Sequence, residues 1–187
     1  MLKQLGKSEL KKLIQFLRMA GSLKRIPRSG WVKVGVASPE SVADHTFRTA
    51  ILCMTLADLD GLDGSKLLRM ALLHDLPEAI IGDLTPSEKT KDAANQEGAA
   101  MKQLLNLLPE QLQDRYTQLW REYTEQKTRE AKVVRELEKL EMVLQAKEYK
   151  RTQPTPEKLD RFVESADRVI TSPEVRNLLS CILKSDC

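Results

Sequence analysis

The chain contains two histidines, and each stands beside an aspartate: His74 precedes Asp75, and His45 follows Asp44. An imidazole nitrogen and a carboxylate oxygen suit a divalent cation such as Mn, Fe, Co, Ni or Zn. A further acid, Glu138, lies one residue beyond Leu137 on a stretch with helical periodicity. Two histidines and two carboxylates drawn from three helices would make an N2O2 site with positions left open for water. Such a site supports metal-assisted hydrolysis, because bound water loses a proton more easily and the cation stabilises charge on a phosphoryl oxygen. The His-Asp dipeptide alone is a weak signal. Read by itself, it is a buried hydrogen-bonded histidine followed by a turn-forming aspartate.

Neighbouring side chains on a regular helix point about 100° apart, so His74 and Asp75 reach one point only where a helix ends. The chain supplies such an end. Leu67, Met70, Ala71 and Leu72 keep helical spacing, and Pro77 disfavours helical geometry at Leu76, which stops the helix near His74-Asp75. Pro77 suits the first turn of a short new helix that ends at Gly82. His45 falls near the start of the preceding helix, where Ser41-Val42-Ala43-Asp44 reads as a capping box with a short acid, followed by Val42, Ile51, Leu52 and Leu59 on one stripe.

The rest of the chain is also helical in pattern. Leu10, Leu13, Ile14, Leu17 and Leu23 follow Ser8, a candidate cap, while 24–40 reads as a connector punctuated by Pro27, Gly30, Gly35 and Pro39. Helices are predicted at about 92–107, 110–125 and 128–150, the last with Val133, Leu137, Leu140 and Leu144 inward. Pro154 and Pro156 break the chain before shorter helices at about 157–168 and 173–184, the latter with Ser172 as cap and Pro173 first. No strand pattern or repeat is present. The expectation is one all-α domain over 1–187, its core at about 13–149 and a helical extension at about 156–187. The mixed-charge faces of 110–150 read as solvated helix surface.

Composition narrows the function. With 41% hydrophobic residues the chain can bury a core, which excludes global disorder. No apolar run approaches the roughly 20 residues of a membrane span, and the N-terminal residues lack a secretory pattern. Cys53, Cys181 and Cys187 form no CxxC spacing, so neither a disulfide scaffold nor a cysteine-zinc site is indicated. The expectation is a soluble cytoplasmic protein. A balance of 30 Lys+Arg against 27 Asp+Glu is too even to argue for nucleic acid.

Longer motifs sharpen this. The series His45, His74-Asp75 and an acid at 138 resembles the H…HD…D pattern of the HD-domain phosphohydrolase superfamily. Lys24 to Trp31, Pro39 to His45, the long run Ala71 to Pro86 and the helix Leu137 to Ala146 resemble, more narrowly, the HD-domain 5′-deoxynucleotidases. The similarity runs from about Leu13 to Tyr149. It implies an all-α HD-domain bundle and a divalent metal (Co²⁺, Mn²⁺ or Mg²⁺) on His45, His74, Asp75 and the acid at 138. The family has Asp at that last position. Glu138 extends the carboxylate by about one bond and keeps its charge, so ligation directly or through a water is expected, with Glu141 one turn on as an alternative ligand or a supporting group.

The resemblance assigns further roles. Glu78 matches a catalytic acid position, against the plain reading of a helix-start Glu favoured by the dipole. Asp83 matches a position near the sugar and the attacking water, against a turn-forming Asp. Arg25 matches the position that holds the substrate phosphate, for which a forked guanidinium is suited. Lys24, Arg28 and Lys33 read as loop charges, with Arg28 a secondary contributor. Family members place Trp after that Arg; here it is Ile26, which alters sugar or base contacts, and Trp31 reads as a hydrophobic anchor.

The expected function is phosphate release from deoxyribonucleoside 5′-monophosphates. The alternatives are an HD hydrolase of a triphosphate or cyclic phosphodiester, and a helical interaction module without catalysis. A triphosphate site needs more cations than the basic cluster at 24–33 offers. Eight aromatics leave little for a stacking clamp, so recognition leans on metal, phosphate and sugar. A homodimer is implied by the resemblance, with apolar surface on the 92–150 helices as its candidate face.

Overall fold

The computed structural model describes residues 5–152 and 156–184. In chain order they form α1 (Lys7–Ser22), a 3₁₀ turn (Leu23–Arg25), α2 (Ser29–Lys33), α3 (Val42–Asp60), α4 (Gly64–Leu73), α5 (Glu78–Ile81), α6 (Ala93–Leu105), α7 (Glu110–Glu125), α8 (Arg129–Thr152), α9 (Pro156–Val169) and α10 (Pro173–Lys184). The fold is all-α; the one non-helical pairing among the described residues is a single bridge between Pro27 and Ser41. No helix among them is long and apolar enough to cross a membrane.

The breaks follow local chemistry. Ser41 caps α3 through Asp44 N–H to Ser41 Oγ (3.2 Å), and Asp44 Oδ2 accepts from Ser41 N–H (2.9 Å). At the other end Gly61 takes the left-handed conformation, φ 64°, which glycine adopts without a Cβ penalty. α4 stops at Leu73 with His74 as its C-cap, and α5 begins immediately after Pro77. At the N-terminus Gly6, not Ser8, precedes α1, and its N–H is held by Glu9 Oε2 at 2.7 Å. The connector 24–40 is more ordered than its Pro and Gly content suggested. Leu23, Trp31, Val34 and Val36 are buried, and that burial winds it into the 3₁₀ turn and α2.

Three apolar clusters hold these elements. The largest joins α3, α4 and α8 through Cys53, Leu67, Met70, Val134, Leu137 and Leu140, and Ile170 and Val175 complete it from the C-terminal segment. A second packs the inner face of α1 with Leu73, Leu76, Met101, Leu104 and Trp120. The third seats Trp31 against Tyr149 and Phe162, with ring centroids 5.3 and 4.1 Å away. Trp31 is therefore a buried anchor, its indole N–H donating to Glu40 Oε1 at 2.9 Å.

Two surface expectations are corrected. Glu136 of α8, on the face read as solvated, is buried because its carboxylate has partners at Thr171 and Ser172; Glu138 and Glu141, expected at the site, are buried as well. Among the described residues the exposed large apolar side chains lie mainly on α1 and α3 (among them Leu17 and Phe47), with single ones on α2, α4 and α5 and two on α10, and none lies within 92–150. The apolar residues of those helices are spent on the core.

Glu136 fixes the join between α9 and α10. Its Oε1 accepts from Thr171 N–H (2.9 Å), Thr171 Oγ1 (2.8 Å) and Ser172 N–H (3.1 Å), and Oε2 accepts from Ser172 Oγ. Burial opposes the charged form, but these donors outweigh it and hold the carboxyl below its ordinary pKa. A depressed pKa stabilises the fold above the unfolded-state value and loses that contribution as pH falls through the folded one. Glu136→Ala should lower the unfolding free energy by about 1–3 kcal/mol at neutral pH. In urea titrations the difference from wild type should shrink below about pH 4.3; a difference under about 0.5 kcal/mol at pH 7 would contradict the assignment.

Candidate active site

His45 enters from the first turn of α3, and His74 and Asp75 leave the end of α4, so the site forms where these two packed helices meet. Both imidazoles are buried. His74 Nδ1 donates to the carbonyl of Ala71, one turn back, at 2.6 Å, and His45 Nδ1 donates to Glu141 Oε2 of α8. Each bond commits the ring's single proton and leaves the Nε2 lone pair free. Both Nε2 atoms are buried without a hydrogen-bond partner. They face one carboxylate oxygen, Asp75 Oδ2, at 3.0 Å from His74 and 3.8 Å from His45.

One ligand atom from each of His45, His74 and Asp75 lies within 4.8 Å of the others. Two buried imidazole Nε2 atoms and a carboxylate oxygen aimed at one point are the donor set of a divalent cation. The residues present fit such an ion. Burial disfavours protonated His74, but Asp75 outweighs it and raises the pKa, whereas burial and the Arg28 guanidinium lower that of His45.

Glu138 is not brought into this cluster. Its Oε2 accepts from the Tyr123 hydroxyl at 2.6 Å, its Oε1 from Lys139 Nζ at 2.8 Å, and Arg135 stands 3.5 Å away. The longer glutamate arm is drawn to these cations, and although burial raises its pKa, Lys139 and Arg135 outweigh that and hold it well below the ordinary value. It stays within electrostatic reach of both histidines.

Around the triad lie the other predicted side chains. Asp83 Oδ2 accepts from Ser29 N–H at 2.5 Å, and Ser29 Oγ donates to the Asp83 carbonyl at 2.6 Å, which clips the segment after α5 to the start of α2. Glu78 opens α5 with a buried, unpartnered Oε2. Burial together with the neighbouring carboxylates of Asp75 and Asp83 pushes its pKa up to about 10. Arg25, at the end of the 3₁₀ turn, is exposed and lies outside these contacts. Arg28 is the guanidinium inside the site, 3.3 Å from Asp75 Oδ2 and 3.6 Å from Asp83 Oδ1.

Sequence reasoning treated Arg28 as a loop charge and did not foresee Tyr123, Arg48 or Glu40. Arg28 gave a faint signal, standing beside the Ser29 and Trp31 that order α2. Tyr123 and Arg48 gave none, because their partners lie 15 and 93 residues away.

The comparisons agree with this geometry. The family described as "HD domain" matches residues 20–176. Human 5′-deoxynucleotidase HDDC2 is 42% identical over 170 residues, covering 90% of this chain and 83% of that protein. The Dictyostelium discoideum protein of the same name is 38% identical over 177 residues, covering 88% and 93%. Among solved structures, a conserved hypothetical protein from Pyrococcus furiosus superposes with a TM-score of 0.77 at 34% identity, covering 92% of this chain and 99% of that one. An all-helical fold with a buried His-His-Asp cluster defines the class. The chain belongs to the HD-domain family.

Proposed function

We propose that the protein is a metal-dependent phosphomonoesterase that hydrolyses deoxyribonucleoside 5′-monophosphates to deoxynucleoside and phosphate. The observation that carries this reading is the pair of buried, unpartnered Nε2 atoms facing Asp75. Similarity across most of the chain to proteins named 5′-deoxynucleotidase supports the substrate class.

His45 Nε2, His74 Nε2 and Asp75 would hold the cation, with Glu138 acting through a water or as a fixed negative charge. When bound, the cation supplies Lewis-acid stabilisation of phosphoryl charge and a more acidic water. The chain's own groups divide the remaining work. Arg28 bridges Asp75 and Asp83 and fixes the carboxylate orientation. Arg25, three residues earlier and exposed, is free to take the dianionic phosphate in its fork. Asp83 is held by Ser29 at the edge of the site, where it can orient water or a sugar hydroxyl. Glu78 carries a proton at neutral pH, which suits it to protonate the departing 5′ oxygen. Among the described residues Arg28 is the one arginine paired with the triad, which favours a small monoester over a triphosphate.

The reading extends to a cytoplasmic homodimer. Free Cys53 and Cys181 are compatible with a reducing compartment. Leu17 and Phe47, 58% and 68% exposed, offer apolar surface for a second copy. Sedimentation should give a dimer that Phe47→Glu converts to monomer; a monomeric wild type would remove this part.

Phosphate release from the four deoxynucleoside monophosphates, measured with Co²⁺, Mn²⁺ or Mg²⁺ after chelation, tests the function. Glu78→Gln should cut kcat by about 10²–10⁴-fold. Arg25→Ala should raise KM by about 10- to 100-fold, the loss of a charge-assisted phosphate contact. Absence of metal-dependent turnover, or preferential cleavage of triphosphates or cyclic phosphodiesters, would overturn the assignment.

A further inference from the structure

Glu141 is fully buried at the interface of α3 and α8. Its Oε2 takes the Nδ1 proton of His45, and its Oε1 accepts from Arg48 Nε at 2.9 Å. Arg48 is fastened in turn: one terminal nitrogen donates to Gln145 Oε1 at 2.5 Å and the other to Glu148 Oε1 at 2.7 Å. The register explains the alignment. His45 and Arg48 are three apart on α3, while Glu141, Gln145 and Glu148 are four and three apart on α8, so each set shares one helix face. A polar ladder thus runs from the exposed Glu148 to the imidazole of His45 through an otherwise apolar interface.

Burying a carboxylate here is costly unless its partners are well placed, and apolar packing would stabilise the same interface at least as well. The arrangement has a specific effect on His45. A neutral imidazole has one proton for two nitrogens. With that proton on Nε2, the Nδ1 lone pair would face a carboxylate, and no lone pair would point towards Asp75. Glu141 excludes that tautomer. His74 receives the same service from a neutral carbonyl, Ala71 O. A carboxylate partner additionally makes the ring a stronger donor. The structure also groups Glu40, His45 and Glu141, but the His45 nitrogen on that side is already bonded to Glu141, and Glu40 accepts from Trp31.

We propose that Glu141 is a positioning residue that fixes the tautomer and ring plane of His45, and that Arg48, braced by Gln145 and Glu148, locks Glu141 in place. The proposal rests on the metal centre described above and deepens it. The presence of only two histidines makes the test direct, because long-range ¹H–¹⁵N spectra of the apoprotein contain two imidazole patterns. Wild type should show both rings as the Nδ1–H tautomer. In Glu141→Leu, His45 should shift towards Nε2–H while His74 stays unchanged, and Co²⁺ affinity, measured by chelator competition, should fall about 10- to 100-fold. Glu141→Gln, whose amide oxygen can accept the same proton, should keep the tautomer and recover part of the affinity. If Glu141→Leu does not fold, Glu141→Gln decides: weaker Co²⁺ binding at unchanged tautomer supports the proposal. An unchanged His45 tautomer in folded Glu141→Leu, or wild-type Co²⁺ affinity in either variant, overturns it. Failure of wild type to bind Co²⁺ would instead remove the metal reading, and the tautomer spectra would still decide the role of Glu141.

Discussion

The end of α4 at Leu73 is the constraint on which the site depends. Had the helix continued through Asp75, the side chains of 74 and 75 would diverge by about 100°. Pro77 prevents that, since the residue before a proline is disfavoured in helical geometry. The chain turns, and Asp75 Oδ2 comes to 3.0 Å from His74 Nε2. His45 meets the same oxygen because α3 and α4 pack along their length through Cys53, Leu67 and Met70.

Charge management follows from that convergence. Asp75, Glu78, Asp83, Glu138 and Glu141 crowd one region of the interior, where each unpaired charge is expensive. Four of them have cationic or hydrogen-bonding partners: Arg28 for Asp75 and Asp83, Lys139 and Arg135 for Glu138, Arg48 and His45 for Glu141. Glu78 Oε2 is buried without a hydrogen-bond partner, and burial with the charges of Asp75 and Asp83 outweighs Arg28 and Lys89 and favours its protonated form. The same electrostatic pressure that solves a burial problem leaves an acid beside the cluster of His45, His74 and Asp75. Gly30 contributes at one remove: a Cβ there would meet Phe162 at 3.2 Å, and the close approach of α2 to α9 holds Arg28 and Ser29 against the site.

Much of the fold was legible because its signals are local. The Ser41 cap, the Pro77 stop and the inward Leu67, Met70 and Ala71 of α4 and Leu137 and Leu140 of α8 each act within a turn or two and appear in the structure, whereas of the α3 stripe Val42 is buried but Ile51 and Leu59 are exposed. The meeting of His45, His74 and Asp75 was also readable, since it needed only two helix ends and one packing contact. What stayed hidden depends on distant partners. Glu136 of α8 looks like solvated surface until Thr171 and Ser172 are known to reach it, and the Tyr123 and Arg48 partners of Glu138 and Glu141 give no signal in the spacing. Arg28 looked like a loop charge because α2 is ordered by the tertiary burial of Trp31, not by its own propensity. Glu138 differs for the same reason: one added methylene and nearby cations redirect its carboxylate, and neither effect can be weighed from spacing.

The central claim is that one divalent cation sits between the two histidine Nε2 atoms and Asp75. Anomalous diffraction at the Co or Mn edge, on crystals of the protein loaded with that ion, tests it most directly. The account predicts a peak bounded by His45 Nε2, His74 Nε2 and the Asp75 carboxylate, lost in Asp75→Asn. A peak elsewhere, or none at this point in fully loaded protein, would contradict it.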